Sequence, residues 1–443
     1  MPKRKTRGEI MELVELTEQE FKEFADTHPQ ISFHQTKEWG HLKEENGWKM
    51  HLVGLKEKDK IVAGALLLSK MTPIKRRMFY SPRGFLIDYN NYDILSEFTK
   101  KIKEYVKKEK GIFLKIDPYV SYQERDINGN VVEDGENNKQ AYQNLIKLGY
   151  KHFGFNLMQD TLQPRWMFIT KTKDRTIDDI MKEMDPKTRQ ILRKNERDLI
   201  KCREIEYEEL PLFKDIMQHT GDRREFIDRP LKYYQDMYNH LHQSGILKIL
   251  IAELNTKDLV NTLKSEIETY QKEYEERKRK YETDPSKMNA KKYETKQKET
   301  ENNIARVEKR IEKIEKLKEE NGEIIPLGGI LFLIYGKEVL SLVGGSYSKF
   351  MEFQSAYTVH FAGMKYALEN GYDRYNFYGI TGDFREENPL FGLYSFKRDF
   401  GGQVVELMGE FDLIISKPLY YLYKVSYASY RTLKNIKNHI RKK

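Results

Sequence analysis

Three short segments carry side chains whose types and setting could do chemistry. In FLKIDPYV, Asp117 stands just past an apolar run and before Pro118. A carboxylate there could take up a proton, or it could simply be the turn-forming Asp of an Asp-Pro pair. HTGDRREFIDRPLKYY gathers Arg223, Arg224 and Arg229 with Tyr233 and Tyr234. Forked guanidinium donors suit phosphate or carboxylate. A surface ion-pair network with Asp222, Glu225 and Asp228 is the plainer alternative. In LYSFKRDFGG, Lys397 follows an aromatic residue and precedes paired glycines; its plainer reading is the outward lysine of a strand.

Common catalytic signatures are missing. Neither GxxxxGK[ST] nor GxGxxG occurs, so no Walker or dinucleotide site is signalled. There is no GxSxG, and Cys202 lies among charges without a nearby histidine, so a nucleophilic triad is unsupported. The ten histidines are scattered, and no metal or cofactor is expected. One cysteine fits a reducing compartment, and the basic N-terminus lacks the apolar core of a secretory signal. A cytoplasmic location follows as the expectation. A net charge of +9 on 443 residues points to a polyanionic partner without choosing among nucleic acid, anionic lipid and phosphorylated metabolites.

The elements that must position these residues are outlined by hydropathy. LTEQEFKEFADTH predicts a helix, HLVGLKEKDKIVAGALLLSKM a hairpin, 93–109 a helix and GIFLKIDPYV a strand, followed by a helix in KQAYQNLIKLGY. The second half repeats that order: a helical stretch over 176–200, strands at 248–254, IPLGGILFLIYG and EVLSLVGGS, a helix SAYTVHFAGMKYALENG and a strand YDRYNFYGI. Matching LIKLGYKHFGF to ALENGYDRYNFYG suggests a duplicated unit in an α/β (α+β) fold.

Between the strands at 248–254 and IPLGGILFLIYG lies an insertion. Leu259, Leu263, Ile267, Tyr270 and Tyr274, then Ile304, Val307, Ile311 and Ile314, keep a 3–4 spacing on either side of TDPSKMN. That pattern predicts an antiparallel two-helix coiled coil. Its tip is basic: residues 277–298 hold nine Lys or Arg against Glu282, Asp284 and Glu294. A solvated charged face is the ordinary reading of such a helix. Segregation of the charge at one end favours contact with an acidic polymer. The tail YYLYKVSYASYRTLKNIKNHIRKK either lies on an acidic membrane surface or forms a last helix packed by its Tyr and Leu face. Expected boundaries are 11–172 for the first unit, 173–255 with 323–425 for the second, 256–322 for the arm and 426–443 for the tail.

Taken in order, FHQTKEWGHLKEENGW, YSPRGFLIDY, LKIDPYVSYQ, LQPRW, RREFIDRPLKYY, VGGS, YNFYGITGDF and LYSFKRDFGG resemble the Fem family of peptidyltransferases (FemA, FemB, FemX and MurM types). The resemblance spans about residues 12–425 and includes the inserted arm. It implies two GNAT-like acyltransferase domains. It also implies transfer of an amino acid from aminoacyl-tRNA to the stem-peptide lysine of a peptidoglycan precursor, either lipid II or UDP-MurNAc-pentapeptide. The family's diphosphate-binding Lys and Arg fall on Lys43, with His41 the alternative register, and on Arg229 beside Tyr233. Its Phe-Lys pair falls on Phe396 and Lys397, and the Asp of the IDP motif on Asp117 as a base. Tip residues Lys278, Arg279, Lys280, Lys291 and Lys292 are the expected tRNA contacts. Contact with the inner membrane face and association with itself or related transferases complete the expected partners. Where some relatives carry Tyr before the small-residue AGS, this chain has Val343, with Tyr347 as the substitute nearby. Two other classes compete: a non-catalytic binding or immunity-like scaffold, and an acetyl-CoA-dependent N-acyltransferase. The second is disfavoured by the lack of a Gly-rich pyrophosphate loop.

Overall fold

The computed structural model describes residues 11–157, 161–287 and 289–427; the N-terminal basic segment and residues 428–443 of the expected tail lie outside the described residues. Fifteen strands are described: β1 Met11–Glu15, β2 Lys49–Glu57, β3 Lys60–Met71, β4 Arg77–Ser81, β5 Gly111–Ile116, β6 Ser121–Glu124, β7 Tyr150–His152 and β8 Trp166–Lys171. The others are β9 Ile200–Glu204, β10 Leu247–Asn255, β11 Ile324–Tyr335, β12 Glu338–Ser346, β13 Arg374–Gly379, β14 Gln403–Leu407 and β15 Phe411–Ile414. They form a seven-stranded sheet, β1-β2-β3-β4-β5-β15-β7, and an eight-stranded sheet, β6-β14-β8-β13-β12-β11-β10-β9.

Read from β1 and from β9, the sheets repeat one plan. Each starts with four antiparallel strands and has a single parallel pair, β4–β5 in one and β12–β13 in the other. A helix crosses over between the parallel partners, Tyr92–Lys108 in the first sheet and Ser355–Glu369 in the second. One mixed α/β plan thus occurs twice. The duplication is real, but its register differs from the sequence match. The counterpart of ALENGYDRYNFYG is the helix leading into β5, whereas LIKLGYKHFGF leads into the edge strand β7. Both helices that misled the match end at a glycine with positive φ, Gly149 at 87° and Gly371 at 71°.

Strand membership also departs from the expected division at 172. β6 and β8 join the second sheet, and β15 returns from the C-terminal side to pair with β5 and β7 in the first. The two units are therefore tied by exchanged strands.

The expected helix over 176–200 is two, Ile177–Glu183 and Pro186–Arg197. A residue before proline is pushed out of the α region, and Asp185 (ψ 141°) uses the break to cap the second helix, accepting from Lys187 N at 2.8 Å. The LYSFKRDFGG segment is a helix, Phe391–Arg398, and Lys397 points inward. Gly402, with φ 134°, then brings the chain onto β14, where a Cβ would meet Ile169 O at 2.2 Å.

The arm forms as its spacing predicts. Its limbs are helices Thr256–Thr283 and Ala290–Asn321, joined by a short turn Pro285–Lys287 and inserted where β2 and β3 need only Lys58 and Asp59. At the base, Leu259, Val260, Leu263, Val307 and Ile314 are continuous with the core of the second sheet. Farther out, Arg277 donates to Lys296 O, Gln297 Oε1 and Thr300 Oγ1, and Tyr281 stacks on Tyr293 at 4.1 Å.

Candidate active site

The eight-stranded sheet carries separate cores on its two faces, and the candidate residues divide between them. One face carries Phe33, Trp39, Phe213, Tyr234 and Leu331, with Tyr233 and Tyr378 packed against them. On this face the helix Lys37–Glu45 is capped by Thr36, whose hydroxyl accepts from Trp39 N. Lys43 lies one turn beyond Trp39, so its ammonium stands 3.9 Å above the indole and 5.7 Å from the Tyr233 ring. Arg229 precedes Pro230, which caps the helix Leu231–Leu241; its guanidinium is 5.4 Å from the same tyrosine ring. Lys43, Arg229 and Tyr233 are thus brought together from distant segments.

Neither cation has a carboxylate partner among the described residues, because nearby acids are engaged elsewhere. Asp228 binds Lys214 and the Tyr234 hydroxyl, at 2.5 and 2.6 Å. Glu18 and Glu44 hold His41, the alternative register, at 2.9 and 3.2 Å. Burial and the charge of Arg229 lower the Lys43 ammonium to about 8. Two neighbouring cations without an anion make a site for one. Arg223 lies farther along, donating to Ser348 Oγ at 3.3 Å. Tyr347 is turned to Asp215 at 2.7 Å, while Val343 packs with the core of this face.

Toward the first sheet, Asp117 is buried and its oxygens accept from Tyr80 Oη at 2.9 Å and from Arg83 N at 2.7 Å. Burial raises its carboxyl to about 6 against the opposing pull of Arg83. Asp117 therefore anchors the turn at Arg83, a non-glycine residue with φ 55°. The buried Arg83 guanidinium donates to Pro164 O at 2.9 Å and stands 5.3 Å from the Tyr119 ring. Its charge reaches the Tyr378 hydroxyl, which donates to Gln163 Oε1 at 2.5 Å.

The opposite face holds Lys397 and Phe396. Beyond Leu340 and Asn376, β12 and β13 no longer pair, and the register of β13 with β8 shifts between Asn376 and Gly379. Buried carbonyls in such a gap still need donors. Lys397 supplies them: its ammonium donates to Phe377 O at 2.6 Å and Gly379 O at 2.7 Å. Burial alone lowers it to about 7. With three N–H bonds and two so engaged, one remains for another acceptor. Phe396 packs edge-on against Tyr357, with ring centroids 5.0 Å apart, and 5.4 Å from His360. His360 is buried, kept neutral by burial and by Lys397 (about 3), and shares a 2.7 Å hydrogen bond with Tyr375 Oη.

Arg83, Gln163, Tyr378 and His360 enter the site without having been singled out in the sequence. Arg83, Gln163 and Tyr378 lie in the YSPRG, LQPRW and YNFYGITGDF segments, which offered a signal; His360 is placed by a sheet face that no local pattern reports. The tip lysines Lys278, Lys280, Lys291 and Lys292, with Arg279, are exposed at the far end of limbs roughly 40 Å long.

The sequence matches the FemAB family over residues 16–428. The aminoacyltransferase FemA of Staphylococcus aureus (strain bovine RF122 / ET3-1) is 33% identical over 433 residues, covering 97% of this chain and all of that protein. FemA of Staphylococcus epidermidis is 32% identical over 96% of this chain and again all of the relative. The crystal structure of FemX superposes with a TM-score of 0.80 at 30% identity, covering 93% of this chain and 99% of FemX. By sequence along nearly its whole length and by fold, the chain belongs to the FemAB family and is an aminoacyltransferase.

Proposed function

We propose that the protein transfers glycine, alanine or serine from aminoacyl-tRNA to the stem-peptide lysine, or to the growing bridge, of a peptidoglycan precursor. The observation that carries this reading is the pair Lys43 and Arg229, two cations without carboxylates around Tyr233. They fit the precursor's diphosphate. The acceptor's amine attacks the ester carbonyl of the charged tRNA; a C–N bond forms, and the ribose oxygen leaves with a proton. The remaining N–H of Lys397 is the donor for the oxyanion, with Phe396 beside it. The proton shed by the amine goes to water or to Asp117. An aminoacyl ester is already activated, so the reaction asks for no nucleotide hydrolysis. The basic arm tip is the tRNA handle.

The reading puts the enzyme at the inner membrane face. Residues 417–427 form a helix whose Tyr420 and Tyr423 pack on Ile112 and Phe113, so the inner side of this part of the tail follows the packed reading. Its outer side shows Tyr421, Leu422 and Tyr427 to solvent. The β3–β4 turn lies alongside, with Tyr423 Oη 3.7 Å from Met78 Sδ, and adds exposed Met71, Lys70, Lys75 and Arg76. Apolar and basic groups on one surface suit an anionic bilayer. No described helix is long and apolar enough to cross a membrane.

The test is transfer of labelled Gly, Ala or Ser from each charged tRNA to the UDP-linked and the lipid-linked pentapeptide. Label should appear on the stem peptide with one pairing; none with any pairing would remove this function.

A further inference from the structure

Tyr378 stands where the two faces are joined through the backbone: its ring lies on the Tyr233 face, and the carbonyls on either side of it are held from the other. Its φ of 63° is a left-handed conformation that an aromatic side chain rarely adopts, and such outliers persist only where surrounding contacts enforce them. Here the enforcing contacts are visible. Asn376 Oδ1 accepts from Tyr378 N at 2.8 Å. On either side, the carbonyls of Phe377 and Gly379 are gripped by Lys397 from the opposite face. Phe377 belongs to the core beneath Lys397, whereas the Tyr378 ring turns to the face of Tyr233. Its hydroxyl is set between Gln163 and the charge of Arg83.

In an extended strand the carbonyls of residues 377 and 379 would point the same way but stand roughly 7 Å apart, too far for one ammonium to lie 2.6 and 2.7 Å from them. The kink at Tyr378 makes that grip possible, and the grip holds the kink. Removing the ammonium leaves two buried acceptors without a donor, so the segment would relax toward ladder geometry and withdraw the ring.

We propose that Tyr378 is an acceptor-contacting residue and that Lys397 acts on acceptor binding as a positioning residue, through the pinned backbone of residues 377–379, from the sheet face opposite the Lys43–Arg229 pair. This rests on the acceptor occupying the Lys43–Arg229 face and goes beyond the donor role given to Lys397. The coupling has a direct consequence: a change at Lys397 must weaken acceptor binding in the absence of any tRNA. An oxyanion donor alone would leave that binding untouched, because no oxyanion exists in the binary complex.

The experiment is calorimetric titration of the full chain with the UDP-linked pentapeptide, without tRNA, for wild type, Lys397→Met, Tyr378→Phe and Tyr378→Gly. Circular dichroism melts confirm that each variant is folded. Lys397→Met and Tyr378→Gly should each raise Kd about tenfold, the scale of a lost polar contact, and Tyr378→Phe by less, since it keeps ring and kink. Tyr378→Phe should also raise KM for the acceptor while sparing kcat. Wild-type affinity in folded Lys397→Met would overturn the coupling and leave the transferase reading intact. Wild-type affinity in Tyr378→Gly would overturn the contact. A wild type that neither binds nor uses the precursor would remove the functional reading, and this inference with it.

Discussion

Lys43 and Lys397 are both ammonium groups without a carboxylate, yet burial sets them to different tasks. Lys43 sits near 8 because burial and Arg229 disfavour its charge. Anion binding needs the charged form, so kcat/KM for the acceptor should hold at neutral pH and fall as pH rises through about 8. Lys43→Arg, which stays charged, should flatten that limb. Arg229→Ala should cost about tenfold or more in acceptor affinity, read by titration. Lys397 sits near 7 by burial alone, and its protonated form is the one that can donate. The chemical step should therefore decline as pH rises past about 7, measured as single-turnover transfer with saturating substrates. Lys397→Ala should abolish transfer in a protein that still melts cooperatively; near-normal turnover would remove it from the chemistry.

Among the elements, the arm shows how one insertion serves two ends. Its base belongs to the core of the second sheet, and there Arg310 pairs at 2.5 Å with the buried Asp198. Removing one partner of such a pair strands a buried charge. Arg310→Ala should thus lower stability by about 3 kcal/mol in denaturant titration. Its tip is exposed and basic, far from any core, so charge changes there should leave folding alone. Neutralising Lys278, Lys280, Lys291 and Lys292 should weaken tRNA binding and reduce the salt slope by roughly three, at about 0.7–0.9 per lost phosphate contact. An unchanged slope would assign the tip to another partner.

For the whole molecule, exchanged strands fix the two halves against each other, and that places the C-terminal helix beside the β3–β4 turn. Together they form the apolar and basic surface read as a bilayer contact. The full chain should sediment with vesicles of phosphatidylcholine and phosphatidylglycerol and not with phosphatidylcholine alone. Met71→Ser with Leu422→Ser should reduce that fraction without altering transfer to the soluble acceptor. Equal sedimentation with both vesicle types would exclude the electrostatic part of this contact.

The sequence by itself determined the local elements: the hairpin at 51–71, the crossover helices, the strand runs and the two limbs of the arm. Periodicity and turn chemistry act over a few residues, and those are what a chain displays. It also determined the chemical types at Lys43, Arg229, Tyr233, Asp117 and Lys397, through motifs whose order is itself sequence. Tertiary structure decided which of these meet. The trade of β6, β8 and β15 between sheets pairs residues hundreds of positions apart, and no local pattern encodes a partner strand. The plainer reading of Lys397 is an outward strand lysine; it turns inward on a helix because a gap between β12 and β13 leaves carbonyls to be satisfied. The kink at Tyr378 was invisible for the same reason. A left-handed aromatic residue violates local preference, and only the contacts that enforce it, drawn from both faces of the sheet, make it stable.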